Sequence, residues 1–301
     1  MTRFVGRHEP VMADEVERLL LGRGDASGTY CDCTAGAGGY AWRILRGTVT
    51  GRLVAIDRDR AALARCRDRL RRFEGRVTFF HGSFSRIGEA VEGRAPLAGI
   101  VADLGLSRLQ IEDASRGFSL RLKGPLDMRF DRSQELRADD FVNRGGEAEL
   151  AGLLYRLADE RFSRRIARAV MRARPVRDTA HLAAIAAAAV PRRARGRIHP
   201  ATRTFQALRM AVNDELGELA ALLEAAPGLL APGGRFVVVS FHSGEDRMVK
   251  HAFRRQAAAG IYQLLTRRVV RPSATEIDRN PSSRSARLRA VCRTARGAEF
   301  N

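Results

Sequence analysis

Lysine is all but missing from this chain: of its 53 basic residues, only Lys123 and Lys250 are not arginine. Such a skew reflects codon composition and by itself identifies no partner. The four cysteines, Cys31, Cys33, Cys66 and Cys292, form no C-x-x-C pair and lie in no cluster with histidine, so neither a zinc site nor a disulfide framework is indicated. No run approaches the roughly 20 apolar residues that a membrane-spanning helix requires. The opening MTRFVGRHEPVM lacks the apolar core of a signal peptide. These absences predict a cytoplasmic protein with no membrane partner, and no residue cluster calls for a metal. Repeats and low-complexity linkers are missing as well. A chain of 301 residues with 45% apolar content is enough for one large domain or two of ordinary size.

What is there centres on residues 29–40, TYCDCTAGAGGY. The run Thr29-Tyr30-Cys31 delivers Asp32 and then the turn Gly36-Ala37-Gly38-Gly39, which leads through Tyr40 into the helical pattern AWRILRG. Glycine lets a backbone touch a ligand closely and take up positive φ. A helix behind such a turn aims its free N–H groups and the positive end of its dipole at an anion. The next strand-like run, 52–56, ends in Asp57, eighteen residues beyond Gly39. An acid so placed at the end of a second βαβ strand accepts hydrogen bonds from ribose hydroxyls. The glycines read G-x-G-G and lack the third glycine of the dinucleotide pattern G-x-G-x-x-G. That spacing favours S-adenosylmethionine, whose anionic end is a single carboxylate.

Charge is segregated along the chain. Residues 155–209 hold 14 arginines against 3 acids, net +11, and residues 254–301 hold 11 against 3, net +8. These two stretches account for the whole formal charge of +19. Codon composition explains arginine over lysine but not this segregation, which points to two basic surfaces facing a polyanion, most plausibly nucleic acid.

Residues 77–80 read as a third strand followed by Phe84, and residues 99–102 as a fourth ended by Asp103. Parallel sheets bind ligands beyond the carboxyl ends of their strands, so Asp32, Asp57, Phe84 and Asp103 are expected on one rim, with Phe84 placed to stack on an adenine. The next convincing strand is 235–239. The chain between Leu106 and Pro232 is far longer than the dozen or so residues a crossover needs, so an insertion is expected there. Helical patterns at 147–157, 162–173 and 179–190 make it a small helical subdomain, and one long pattern at 202–226 returns the chain to the sheet. Residues 261–270 and 286–292 read as a late antiparallel pair.

Further motifs run nearly end to end: His8-Glu9-Pro10-Val11, Asp103-Leu104-Gly105, Arg116-Gly117-Phe118-Ser119, Gly124-Pro125-Leu126-Asp127-Met128-Arg129, Glu160-Arg161-Phe162, the segment from His199 to Arg209, Ser240-Phe241-His242-Ser243, Glu245-Asp246-Arg247, and Asn280 with Arg284-Ser285-Ala286-Arg287-Leu288-Arg289. With the glycine loop, they resemble the bacterial MraW/RsmH family of S-adenosylmethionine-dependent methyltransferases. The resemblance implies an α/β fold, a class I Rossmann-like methyltransferase sheet carrying an inserted helical substrate-recognition domain. On that basis residues 1–112 and 212–301 form the core and residues 113–211 the RNA-recognition domain. It implies methylation of the exocyclic N4 amine of a cytosine in small-subunit (16S) ribosomal RNA, within an assembled or assembling subunit.

Position by position, the resemblance implies cofactor contact from Gly38, Gly39 and Tyr40, with Asp57 on the ribose, Phe84 beside the adenine, and Asp103 and Gln110 near the methionine end. The chain departs from the family at Tyr40, where histidine is usual, at Arg108-Leu109, where Ser-Pro is usual, and at Gly244, where leucine is usual. A cytosine amine is a poor nucleophile, so an acceptor for its hydrogens is needed, with Asp103 first and Ser107 second. Phe118, Phe205 or Phe241 are candidates to stack on a flipped base. Arg116, Arg129, Arg203, Arg209 and Arg247 are candidate phosphate ligands, and His199 and His242 are read as RNA-contacting or structural. Rival readings are a methyltransferase for a small molecule or protein, a dehydrogenase, and a binding-only ribosome assembly factor.

Overall fold

Alternation along the strands builds the sheet. In Arg52–Asp57 (β2, after Thr29–Asp32, β1), Leu53 and Ala55 face one core cluster while Val54 and Ile56 face another, all essentially sealed from solvent. Burial on both faces is what a parallel sheet between helices requires. The structure is a computed structural model, and it describes residues 10–22, 27–194, 196 and 198–295. His8 and Glu9 of the first family motif lie outside the described residues.

Val77–His81 (β3), Leu97–Asp103 (β4), Leu230–Ser240 (β5), Tyr262–Leu264 (β6) and Arg287–Arg293 (β7) complete a seven-stranded sheet of order β3-β2-β1-β4-β5-β7-β6. β1 to β5 are parallel, whereas β7 runs antiparallel to both β5 and β6. This is the class I methyltransferase sheet. Helices Ala13–Leu21, Gly39–Gly47 and Arg60–Leu70 cover one face, and Ile87–Ala90, the apolar side of Glu215–Leu229, and Ser243–Ala258 cover the other. Reversal of strand order at β1 and β4 opens a crevice at their carboxyl ends, the place where doubly wound sheets bind ligands.

The chain divides into two compact units, Met1–Gly105 with Gly217–Asn301, and Leu106–Leu216. The second is helical, with Glu147–Ala158, Ser163–Arg172, Thr179–Ala189 and Thr202–Asn213 packed on a core that includes Leu154, Ile166, Val170, Leu182 and Leu208. Its edges fall at 105/106 and 216/217, where the motif reading put them at 112/113 and 211/212. Residues 106–112 go with the second unit because the Asp113 N–H closes on the Leu109 carbonyl, so the short helix Arg108–Glu112 continues into the turn that follows.

Two expectations about elements are corrected. The long helical pattern at 202–226 is two helices, broken at Asp214, which takes a left-handed conformation at φ 47°. Asn213 beside it is buried and fully used, accepting from the Phe130 N–H and donating to the carbonyls of Met128 and Arg209. The strand expected over 261–270 is only Tyr262–Leu264, followed by a single bridge from Val270 to Leu288.

Candidate active site

β1 ends in Asp32, and the loop after it is pinned from both neighbouring strands. The Cys33 N–H donates to the Val101 carbonyl of β4, and the Ala35 N–H to the Ile56 carbonyl of β2. Gly36 and Gly38 then take left-handed conformations, φ 51° and 77°, and Gly38 caps the helix Gly39–Gly47. A Cβ on Gly38 would also stand 3.0 Å from the Cys66 Sγ, and one on Gly39 would stand 3.1 Å from the Pro10 ring. Both positions therefore demand glycine for space, one of them also for its dihedral angles.

Asp57, at the end of β2, clamps that loop. One of its oxygens accepts the Gly36 N–H at 2.8 Å, and the other accepts the Asp59 N–H at 2.8 Å. Each carboxylate oxygen keeps a further lone pair, so the side chain holds the loop while still able to accept from a ligand. Asp103, at the end of β4, donates its own N–H to the Thr34 hydroxyl at 2.7 Å. Sequence reading passed over Thr34 because an isolated threonine in a loop carries no signal of its partner.

The acids here are poor in partners. Asp32 is wholly buried; its Oδ1 accepts from the Thr34 N–H, and its Oδ2 has no hydrogen-bond partner. The Oδ1 of Asp103 is likewise buried and without a partner. Burial, with the charge of Asp57 adding, pushes the Asp32 carboxyl up to about 7 against the pull of the Thr34 and Ala41 N–H groups. Burial pushes Asp57 up to about 6. Asp103 is raised well above the carboxylate range by burial and by the charges of Asp32 and Glu245, and the Tyr40 hydroxyl works against the rise.

Glu245 is a second residue that sequence reading quoted in a motif but did not assign to the site. It is 2% exposed. It accepts from the Phe241 N–H at 2.9 Å and the His242 N–H at 3.3 Å, while the Nε2 of His242 lies 3.0 Å from its other oxygen. His242 in turn caps the helix Ser243–Ala258, and the Glu three residues on was the legible half of that capping box. Phe241 packs half-buried beside this turn, 3.6 Å from where a Cβ on Gly105, at φ 104°, would lie. Phe84 opens a short 3-10 turn after β3 and packs half-buried on the core.

Tyr40 is buried, and its hydroxyl donates to the Val11 carbonyl. Burial and the charges of Asp103, Asp32 and Glu276 push its phenol far up. The next N–H, that of Met12, donates to Glu276 at 2.6 Å, so the polar atoms of the Val11–Met12 peptide are held from two sides. Met12 itself is left-handed, φ 52°.

In the second unit, the site residues named from sequence are otherwise engaged. Ser107 and Gln110 form the capping box of Arg108–Glu112, side chain to backbone in both directions. Arg116 is buried and donates to the carbonyls of Arg129 and Phe130. Arg129 makes a two-pronged pair with Asp127, 2.8 Å at each prong, and donates as well to the carbonyls of Arg132 and Gln134. Arg209 makes a similar pair with Glu215, at 2.6 and 2.8 Å. As phosphate ligands these three arginines are therefore withdrawn, since their forks already close on carboxylates and carbonyls. Phe118 and Phe205 are withdrawn as stacking rings because both lie in the unit's core. Arg203 donates to the Asp159 carbonyl at 2.8 Å, and His199 is exposed, its Nδ1 accepting from the Ala201 N–H. Arg247, in the first unit, is exposed on the helix Ser243–Ala258.

The first unit's rim can hold a cation. Two buried carboxylate oxygens without partners, with like charges around them, gain most from a positively charged group that restores their ionised forms. No group of three or more His, Cys, Asp and Glu among the described residues is arranged for a metal ion, so the donor set fits an organic cation. S-adenosylmethionine carries two such groups, an ammonium and a sulfonium, beside a carboxylate that suits the glycine turn. No helix among the described residues is long and apolar enough to cross a membrane.

Comparison with known proteins gives the family. Residues 6–294 match the model of the MraW methylase family. The chain is 49% identical over 286 residues to the ribosomal RNA small subunit methyltransferase H of Solibacter usitatus, covering 94% of this chain and 99% of that protein. It is 47% identical over 297 residues to the protein of the same name from Koribacter versatilis, covering 95% and 94%. For that of Synechococcus elongatus the figures are 46% over 284 residues, covering 94% and 93%.

Proposed function

Because the chain belongs to the MraW methylase family, we propose that it transfers a methyl group from S-adenosylmethionine to the exocyclic N4 amine of a cytosine in small-subunit ribosomal RNA. The observation that carries this reading is the pair of buried, partnerless carboxylate oxygens on Asp32 and Asp103 beside a glycine turn that a Cβ would block. Such a rim suits a cationic cofactor with a single carboxylate and is unfavourable for the doubly charged pyrophosphate of a dinucleotide.

When bound, S-adenosylmethionine supplies a methyl group activated by the positive sulfur. The residues of the chain do the rest. Asp57 fixes the glycine turn and accepts from ribose hydroxyls. Asp32 and Asp103 face the positive groups, and the N–H to Thr34 bond fixes the main chain at Asp103. Asp103, kept basic by burial and by Asp32 and Glu245, accepts a hydrogen of the amine and takes the proton released as the carbon–nitrogen bond forms. Phe241 stacks against the base. Positioning of a weak nucleophile is the larger share of the work.

The substrate is RNA in an assembled or assembling subunit, and the protein acts in the cytoplasm. Support comes from the two arginine-rich stretches, of which the exposed arginines of Ser163–Arg172, including Arg164, Arg165 and Arg172, belong to the helical unit. That unit is the RNA-recognition part in this reading. Small subunits incubated with the protein and labelled methyl donor should gain label that nucleoside mass spectrometry finds on N4 of cytidine. Replacing Asp103 with asparagine should lower the rate about 100-fold or more. Tight RNA binding with no transfer by the wild type would instead leave a binding-only assembly factor.

A further inference from the structure

Away from the rim, the first unit carries a second concentration of charge. On the helix Ser243–Ala258, Arg247, Lys250 and Arg254 recur at intervals of three and four residues, which places them along one face. The chain that leaves β6 brings Thr266 and Arg267 to the same place. Lys250, Phe253, Arg254, Thr266, Arg267 and Arg289 line a shallow cleft there.

The charges in this cleft are not balanced from within the protein. Arg289 is taken by Asp246, at 2.6 and 3.2 Å, so the nearest acid is already neutralised. Arg254 and Arg267 are exposed and Lys250 is half-buried, and no side chain of the three has a hydrogen bond or ion pair among the described residues. Buried and half-buried arginines such as Arg129, Arg209 and Arg76 close on acids or carbonyls, whereas these cations gather around one cleft with no acid left to them. Three cations around one concavity repel each other, and an anion in the cleft removes that repulsion. Arginine forks bind phosphate through two parallel hydrogen bonds.

We propose that this cleft binds the phosphodiester backbone of RNA, holding the substrate strand on the methyltransferase unit without reading its sequence. The proposal rests on the RNA methyltransferase reading above and adds to it a specific contact surface, on the opposite end of the chain from the glycine loop. It explains why the second basic stretch, net +8 over residues 254–301, accompanies the cofactor-binding unit.

The test compares two variants of the full chain that each lose two positive charges. R254A/R267A removes the cleft cations, and R60A/R65A removes exposed arginines from the helix Arg60–Leu70. Binding to a labelled fragment of small-subunit ribosomal RNA is measured across salt concentrations, with S-adenosylmethionine binding as the control for folding. The cleft variant should bind about tenfold more weakly at low salt. Its slope of log affinity against log salt should shrink by about 1.4 to 1.8, two phosphate contacts' worth, with cofactor affinity unchanged. The R60A/R65A slope should match the wild type. Equal falls in both variants would make the effect one of net charge and overturn the site. An unchanged slope in R254A/R267A would overturn it directly and leave the methyltransferase reading standing. Wild-type protein that binds neither the fragment nor the small subunit would bring down that reading and the cleft together.

Discussion

Two buried aspartates, Asp32, wholly sealed in the first unit, and Asp127, 8% exposed in the second, have opposite surroundings. Asp127 is gripped at both oxygens by Arg129, which holds its carboxyl below the usual range although burial works against it. Asp32 has a hydrogen bond from the Thr34 N–H alone, with the Ala41 N–H pulling more weakly, and its carboxyl rises to about 7. A buried charge that the fold satisfies belongs to the fold, and one that it leaves waiting belongs to a ligand. Among the arginines the division runs with exposure: Arg129 and Arg209 turn inward and close on acids, while Arg254 and Arg267 face solvent with none.

The comparison breaks most visibly at Arg129. Arg129→Ala leaves Asp127 buried with only the backbone N–H of residue 129 on one oxygen and should cost about 3 kcal/mol in denaturant unfolding. A loss below about 1 kcal/mol would mean that Asp127, too, can stand without a partner.

Asp32 sharpens it from the other side. Its carboxyl holds a proton more tightly folded, near 7, than unfolded, near 3.8. Its contribution to stability is therefore full below about pH 4 and is lost as pH rises to about 7, a change on the order of 2 to 4 kcal/mol. Asp32→Asn should flatten that part of the stability profile. Binding of S-adenosylmethionine should strengthen over the same window in the wild type, with proton release seen by calorimetry in buffers of different ionisation heat. The smallest effect is expected at Arg108, whose pair with Glu112 is exposed on both sides. Arg108→Ala should change stability by about 0.5 kcal/mol or less.

Much of the rim was legible beforehand because parallel strands bring their carboxyl ends together by topology alone. Asp32, Asp57 and Asp103 each follow an apolar run, and any parallel pairing of those runs gathers them. Thr34 and Glu276 were not legible, since their roles depend on meeting Asp103 and Met12, 69 and 264 residues away. Charge on Arg116, Arg129 and Arg209 was visible but not its direction. Sequence shows that a guanidinium exists, and only packing decides whether it turns inward to a carbonyl or outward to a phosphate. The break at Asp214 was hidden for a similar reason. Helical periodicity passes through it, and the cause of the break is Asn213 reaching across to Met128 and Phe130.

The Val11–Met12 peptide has one further consequence, which concerns time. Its carbonyl is held by Tyr40 and its N–H by Glu276, so this peptide waits for a residue made 264 positions later. During synthesis at about 5 to 20 residues per second, the glycine loop and the first strands leave the ribosome well before residue 276 exists. The Val11–Met12 peptide is then fixed on both sides only once residue 276 has been made, and a nascent chain stalled before the helix Ala274–Arg279 should hold S-adenosylmethionine poorly even with the parallel strands in place.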